Sequence, residues 1–97
     1  MQHIELHPEA LHELEEAHIW YKGKSARLGE RFLDELDRAM AAIQQSPDRW
    51  PTFVGGTRRF LLHRFPFAVV YRKTDNNIQV IAVMHQRRNP GYWKKRM

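Results

Sequence analysis

The chain has 97 residues and a formal net charge of +5, a length that suits one domain, spanning residues 1–97, with one modest core. It contains no cysteine, which excludes disulfides, thiolate nucleophiles and cysteine-bound zinc. The opening residues lack the pattern of a secretory signal, and no apolar run reaches the roughly 20 residues of a membrane span, so we expect a cytoplasmic protein that spans no membrane.

The distribution of charge is more informative than its total. Residues 1–56 carry a balance of −4 and residues 57–97 a balance of +9, with Asp75 as the one acid of the second part. Such asymmetry favours a polyanionic partner for the C-terminal half, either nucleic acid or an acidic protein segment. The alternative is a globular domain whose charges segregate without function.

The N-terminal part predicts a strand and then a helix. Residues 2–6 alternate apolar and polar side chains, as a half-buried strand does. Pro8 suits the first turn of a helix, where its missing N–H costs nothing. Beyond it, small or apolar residues recur every three to four positions: Ala10, Leu14, Ala17 and Tyr21. Three glutamates lie mostly off this stripe, on what we expect to be a solvated acidic face: Glu13, Glu15 and Glu16.

A second helix follows a short reversal. Ser25 can cap its start, and Ser46 before Pro47 ends it, because the residue before proline is pushed out of the helical region. Its apolar stripe is the clearer of the two: Phe32, Leu36, Ala39, Met40 and Ile43. Two helices joined in this way form an antiparallel hairpin, and residues 48–57 are predicted to be a loop.

The C-terminal half changes to the period of a sheet. Residues 67–72 and 78–85 alternate as two strands around the turn sequence TDNN, and residues 59–65 predict a third strand ahead of them. Strict alternation places Ile78, Val80, Ala82 and Met84 on one face. The predicted fold is α+β in the order β-α-α-β-β-β, with a two-helix hairpin packed on a small twisted antiparallel sheet.

The densest group of chemically useful side chains follows the last predicted strand. Its candidates are His85, Arg87, Arg88, Tyr92, Trp93, Lys94, Lys95 and Arg96. Histidine moves protons near neutral pH, arginine clamps phosphate, and aromatic rings stack on bases. These groups suit RNA cleavage, and they equally suit binding of an acidic protein. For the last three basic residues a solvated tail is the alternative, and for Trp93 an anchor on the core.

A second basic set lies on the first C-terminal strand. Alternation would place Arg59, Leu61 and His63 on one face, and Arg58 and Arg64 on the other. We favour Arg59 as a phosphate-binding residue, with His63 and Arg64 as contacts to a target or to nucleic acid. The alternative for His63 is a strand-end histidine that bonds only to backbone.

The six histidines do not predict a metal site. His12 and His18 are not aligned on one helix face, and no His-Glu-x-x-His pattern occurs. Gly55-Gly56 lacks the lysine and hydroxyl residue of a phosphate-binding loop. We therefore expect no metal and no cofactor.

Several sequence features in this order resemble the RelE/ParE superfamily of bacterial toxins. They are the Trp20-Tyr21 pair closing the first helix, the segment LGERF opening the second, Ser46-Pro47 ending it, and the segments RFPFAVVYR and VMHQRRNPGYW. The resemblance covers nearly the whole chain and implies a RelE/ParE-like fold. It further implies the toxin half of a type II toxin–antitoxin module, neutralised by a cognate antitoxin whose partly disordered segment wraps the toxin. Operator DNA would then be contacted only through the antitoxin.

The superfamily includes two kinds of toxin. RelE-like members cut messenger RNA on the ribosome, whereas ParE-like members inhibit DNA gyrase. By position, Arg87 matches the late arginine of RelE-like toxins and Tyr92 lies near their late tyrosine, but Ala68 and Leu61 stand where cations belong. The segment MHQRR resembles the ending of ParE-like toxins, so the resemblance slightly favours gyrase.

Each kind of toxin implies its own roles for the candidate residues. For a gyrase inhibitor, the basic and aromatic residues of the C-terminal block would engage the topoisomerase. For a ribosome-dependent messenger-RNA nuclease, Arg59 and Arg87 would neutralise phosphate while His85 and Tyr92 handle protons.

Overall fold

The computed structural model describes residues 2–97. Its strands are β1 (His3–Leu6), β2 (Thr52–Phe53), β3 (Thr57–Leu61), β4 (Phe67–Lys73) and β5 (Asn77–His85), and its helices are α1 (Pro8–Lys24) and α2 (Ala26–Gln45). Single turns of 3-10 helix occupy Val54–Gly56 and Lys94–Arg96. The predicted element order is confirmed, and the segment predicted as a loop also contains the two-residue β2. Within residues 2–97, neither helix has the length and hydropathy needed to cross a bilayer.

The five strands form one sheet in the order β1-β5-β4-β3-β2. The edge strand β1 runs parallel to β5, whereas the other neighbouring pairs are antiparallel. The sheet is therefore mixed and differs from the predicted antiparallel sheet in this one pair. A parallel pair needs a long connection. Here the helical hairpin carries the chain from one edge to the other, and three antiparallel turns bring β5 back beside β1.

The helical hairpin forms where its sequence signals predict. Pro8 is the first residue of α1. Ser25 serves both helices, because its N–H donates to the carbonyl of Tyr21 at 3.1 Å and its Oγ accepts from the N–H of Leu28 at 3.0 Å. Ser46 follows the last residue of α2, just before Pro47. The short link therefore sets two helices side by side on the sheet.

Both faces of the sheet are covered by apolar side chains. The helices pack over a main core whose largest fully buried members include Phe32, Leu36, Ile43, Val69, Tyr71 and Ile78. The opposite face carries a smaller core made of Val70, Ile81, Ala82, Met84 and Trp93. The sheet is consequently a middle layer, with helices on one side and the C-terminal residues on the other.

A β-bulge in β5 changes which side chains face the helices. Ile81 has no direct partner on β4, so the register shifts there. Beyond the bulge Val83 lies in the main core and Met84 in the smaller one. The predicted strict alternation over residues 78–85 is therefore wrong in the second half of β5. His85 lies on the helix-facing side, beside Phe67.

Strand β3 spans residues 57–61 rather than the predicted 59–65. Residues 62–66 instead form the connection between β3 and β4, which is closed by the hydrogen bond from the N–H of Leu62 to the carbonyl of Phe67 at 2.9 Å. Glu35 of α2 holds this turn, because it accepts from the N–H of His63 at 2.7 Å and from the N–H of Arg64 at 3.2 Å. The predicted placement of His63 on the same strand face as Arg59 is therefore wrong.

Candidate functional site

The residues after β5, 86–97, are called here the C-terminal segment. They turn back across the sheet, and Trp93 fixes them there with a side chain that is fully buried. Its ring stacks on Phe53 with a centroid distance of 5.6 Å and lies in the smaller core with Val70 and Met84. The assignment of Trp93 to a target-binding surface is therefore corrected: no face of its ring is available to a partner, and it anchors the segment.

Glu13 of α1 binds the C-terminal segment from the helix side. Its side chain is only 13% exposed, and its carboxylate accepts from the Tyr92 hydroxyl at 2.6 Å and from Arg96 Nη1 at 2.9 Å and Nη2 at 3.2 Å. Arg88 Nη1 approaches the same carboxylate at 3.4 Å. One acidic side chain therefore gathers three residues that the sequence presents as separate candidates.

Glu13 and Arg96 also bond to backbone groups at the edge of the sheet. Strand β1 pairs with β5 only as far as Val80. Past that point the N–H of Val83 donates to Glu13 Oε1 at 3.0 Å, and the carbonyl of Ile81 accepts from Arg96 Nη1 at 3.1 Å. Glu13 and Arg96 thus supply the acceptor and the donor that a neighbouring strand would have supplied.

The predicted position of Glu13 on a solvated face of α1 is wrong, because its side chain is only 13% exposed. Glu13 lies three residues after Ala10 and four before Ala17, both of which are buried. A residue at those spacings borders the packed face of its helix. That position is the signal by which Glu13 could have been separated from the exposed Glu15 and Glu16.

The environment of Tyr92 holds its proton firmly. Burial, and then the hydrogen bond to Glu13, raise the pKa of the Tyr92 phenol well above its usual range. The guanidinium of Arg88 lies 3.6 Å from the centre of the Tyr92 ring and opposes that shift only in part. Tyr92 is therefore a structural donor to Glu13 in this arrangement, with its hydroxyl already committed.

The exposed cations of the C-terminal segment point to solvent. They are Arg87, Arg88, Lys94 and Lys95. Within residues 2–97, Arg88 is the one member of this set that makes an ion pair, and its side chain is still 54% exposed. Arg96 differs, since its side chain is 14% exposed and held by Glu13. The solvent-exposed positive charge of the segment thus resides in these four side chains.

The residues predicted for a nuclease lie on both faces of the sheet. His85 pairs with Phe67 across the β4–β5 ladder, and the two rings meet edge to face at 5.2 Å on the helix side. Arg59 pairs with Val70 and lies over the ring of Phe53, 4.4 Å from its centre, on the opposite side. The sheet therefore separates the proposed proton carrier from one of the proposed phosphate-binding arginines.

His63 and Arg64 belong to a third region. They line an open cleft of about 800 Å³ along α2, together with Arg31 and Arg38. Glu35 in the same cleft holds the turn through its two backbone hydrogen bonds. The candidate binding residues from the sequence therefore fall into two separate surfaces. Among the residues that the structure describes, no three histidine or carboxylate side chains are placed to share a metal ion.

Two helices on a mixed sheet, with an anchored C-terminal segment on the other face, form a fold that a solved structure shares. The chain superposes with a TM-score of 0.72 on a chain of the structure described as "Chromosomal ParDE TA system from P. aeruginosa". The two are 21% identical, and the match covers 88% of this chain and 96% of the other.

The family follows from a separate comparison. The family described as "ParE toxin of type II toxin-antitoxin system, parDE" matches residues 4–90. The chain therefore belongs to the ParE toxin family, within the RelE/ParE superfamily, and its role is that of the toxin in such a system. No curated protein matches it.

Proposed function

We propose that this chain arrests bacterial growth by binding DNA gyrase, and that a cognate antitoxin holds it inactive. The observation that carries the choice of target is the separation of His85 from Arg59 by the sheet. A nuclease needs its proton carrier and its phosphate-binding groups within reach of one scissile bond. A binding toxin needs only a fixed, exposed surface.

The state of Tyr92 supports the same choice. Its hydroxyl donates to Glu13 at 2.6 Å, and its raised pKa disfavours proton transfer near neutral pH. With Tyr92 and Arg96 engaged by Glu13, the groups left for a partner are the exposed cations of the C-terminal segment. These match an acidic patch on a protein, where complementary charge speeds encounter and fixes orientation.

The antitoxin part of the proposal rests on the family and on charge. The structural neighbour is described as a ParDE system, so a partner antitoxin is the natural proposal for this chain as well. The balance of +9 over residues 57–97 suits a partner segment rich in acids. Operator DNA would be reached only through that antitoxin, and both proteins would act in the cytoplasm.

One observation favours a second candidate, a ribosome-dependent messenger-RNA endoribonuclease. Nδ1 of His85 accepts from the N–H of Arg87 at 3.1 Å, whereas Nε2 makes no hydrogen bond within residues 2–97 and the residue is partly exposed. In the neutral ring the proton then resides on Nε2. His85 could serve as a proton carrier there with Arg87 and Arg88 nearby, without Arg59.

The two candidates are separated by His85→Gln. Glutamine removes the proton carrier but keeps a polar side chain of similar reach, so a histidine nuclease would lose its activity. In a binding toxin the substitution should at most weaken one contact, so we expect the variant still to arrest growth when induced alone, with messenger RNA showing no new 5′ ends within codons. In a separate assay in vitro, the purified wild-type chain should inhibit supercoiling of DNA by gyrase. Loss of toxicity in His85→Gln, together with codon-internal cuts by wild type, would overturn the gyrase proposal.

A further inference from the structure

A groove lies between α1 and the end of the β4–β5 hairpin, and Trp20 forms its outer wall. Two adjoining hollows of about 320 and 360 Å³ share Ala17, Trp20, Phe67 and His85 as lining. Their floor is made mostly of carbon atoms. These two hollows together form the Trp20 groove.

Trp20 belongs to neither core and is unusually exposed for a tryptophan. It is 59% exposed, although its ring touches Tyr21 edge to face at 5.0 Å. The ammonium of Lys24 lies 4.7 Å above the indole and restricts it further. A large, exposed aromatic ring beside an open hollow is typical of a residue that is buried by a partner.

The charges around the Trp20 groove favour an acidic partner. Glu13 and Glu16 line one hollow, but Glu13 is occupied by Arg96 and Tyr92, and the side chain of Glu16 is 67% exposed to solvent beside His12. The cations at the rim are less committed, since Arg88 meets Glu13 only at 3.4 Å and Lys24 has no carboxylate partner within residues 2–97. A carboxylate brought to this rim would therefore meet unbalanced positive charge.

Arg88 connects the groove to the basic surface of the C-terminal segment. It lines one of the two hollows and is also one of the exposed cations assigned above to the target. The groove and the basic surface are thus one continuous patch, with an apolar part under Trp20 and a cationic part beyond Arg88. Protein interfaces combine an apolar anchor and a polar rim in this way.

We infer that the Trp20 groove is the apolar half of the surface that binds gyrase. It takes an apolar side chain of the topoisomerase, and a carboxylate of the same segment meets Arg88. Trp20 is then the residue that contributes most to this contact. The inference rests on the proposed function and adds to it a location and a partner chemistry.

The test compares Trp20→Ala with Ile19→Ala. Ile19 is 68% exposed on the next position of the same helix and does not line the groove, which makes it a matched control. We expect Trp20→Ala to weaken binding to purified gyrase and inhibition of supercoiling by roughly 30-fold. Ile19→Ala should stay within about twofold of wild type, as peripheral contacts do. Circular dichroism and thermal melts should show both variants folded, since both side chains are largely exposed. Trp20→Phe, which keeps a ring in the groove, should recover part of the loss.

Each other outcome has a defined meaning. If wild type inhibits gyrase and Trp20→Ala inhibits it equally, the groove is not part of the target surface and the inference fails. If Trp20→Ala loses binding to the antitoxin but still inhibits gyrase, the groove belongs to the antitoxin and the inference also fails. If the wild-type chain neither binds gyrase nor inhibits supercoiling, the proposed function fails and the inference fails as well.

Discussion

Glu13 holds the C-terminal segment because its carboxylate collects donors from residues that are far apart in the sequence. Arg96 is 83 positions away and Tyr92 is 79 positions away. A nearly buried carboxylate is unfavourable unless such partners satisfy it. Glu13 and the segment therefore stabilise one another, and the surface that carries the exposed cations depends on an acid of α1.

Replacing Glu13 with glutamine should loosen the C-terminal segment. The amide keeps the shape but removes the charge that binds Arg96, so a partly buried guanidinium loses its counterion. We expect the free energy of unfolding to fall by about 2–3 kcal/mol, as measured by urea denaturation. Limited trypsin digestion should then cleave faster after Lys94 and Lys95, because the segment opens locally more often.

Glu15→Gln is the matched control for that experiment. Glu15 lies on the exposed face of α1 two positions away and makes no ion pair within residues 2–97. Its free energy of unfolding should match that of wild type within about 0.5 kcal/mol. Its rate of trypsin cleavage should also be that of wild type. Equal cleavage rates in Glu13→Gln and Glu15→Gln would show that Glu13 does not restrain the segment.

At the scale of elements, the sequence predicts what is local and misses what depends on pairing. Pro8, Ser25 and Ser46 mark helix ends because their own backbone or side-chain properties favour those positions. The helix ends could therefore be predicted from these residues alone. The bulge at Ile81 has no such local signal, because alternation looks the same with or without an unpaired residue. The face of every side chain beyond it was therefore predicted wrongly.

The candidate site divides in the same way. The cations and aromatics of residues 85–96 are neighbours in sequence, so their grouping was visible. Glu13, which binds three of them, comes from another element and reads locally as one more surface acid. The burial of Trp93 could not be predicted locally either, because it depends on how the C-terminal segment folds back over the smaller core.

Two glycines test the close packing of the helical hairpin. A Cβ added at Gly29 would lie 3.0 Å from Lys22 Cβ and 3.1 Å from Lys22 Cα on the neighbouring helix, so Lys22 and its backbone must yield by a few tenths of an ångström. A Cβ at Gly23 meets nothing within 4 Å. We expect Gly29→Ala to lower the free energy of unfolding by about 1–3 kcal/mol. Gly23→Ala should raise it by up to about 1 kcal/mol through helix propensity.

Thermal and urea unfolding of both glycine variants check this prediction. The substitution is the same in each, so the opposite signs isolate the contact between the helices from the propensity of alanine. A stabilised Gly29→Ala would mean that α1 and α2 can separate without loss, and the hairpin would then be less tightly packed than these distances indicate.

At the scale of the whole molecule, two tyrosine hydroxyls form hydrogen bonds between separate layers of the fold. Tyr71 is fully buried under the helices, and its hydroxyl donates to the carbonyl of Pro47, after α2, at 2.6 Å. Tyr92 does the same between the C-terminal segment and Glu13. Both groups must keep their protons for the folded state to form these bonds, so the protein should lose stability in alkali.

The pH dependence of Tyr71 can be predicted in sign and size. Burial is the main cause that raises the pKa of Tyr71 to about 12, with Asp48 raising it further and Arg58 opposing. Between pH 10 and pH 12 the unfolded chain loses this proton while the folded chain keeps it, so stability is complete below pH 10 and falls as pH rises. From pH 8 to pH 11 this one group should remove about 1.4 kcal/mol.

Tyr71→Phe isolates that contribution from the other groups that titrate in alkali. At pH 8 the variant should be less stable than wild type by about 1 kcal/mol, because it lacks the hydrogen bond to Pro47. Phenylalanine has no proton to lose, so the gap should close by pH 11 and the two urea-unfolding free energies should meet or cross. A gap that stays constant between the two pH values would mean that Tyr71 ionises equally in the folded and unfolded chains. The buried hydroxyl would then not be what couples the helical layer to the sheet.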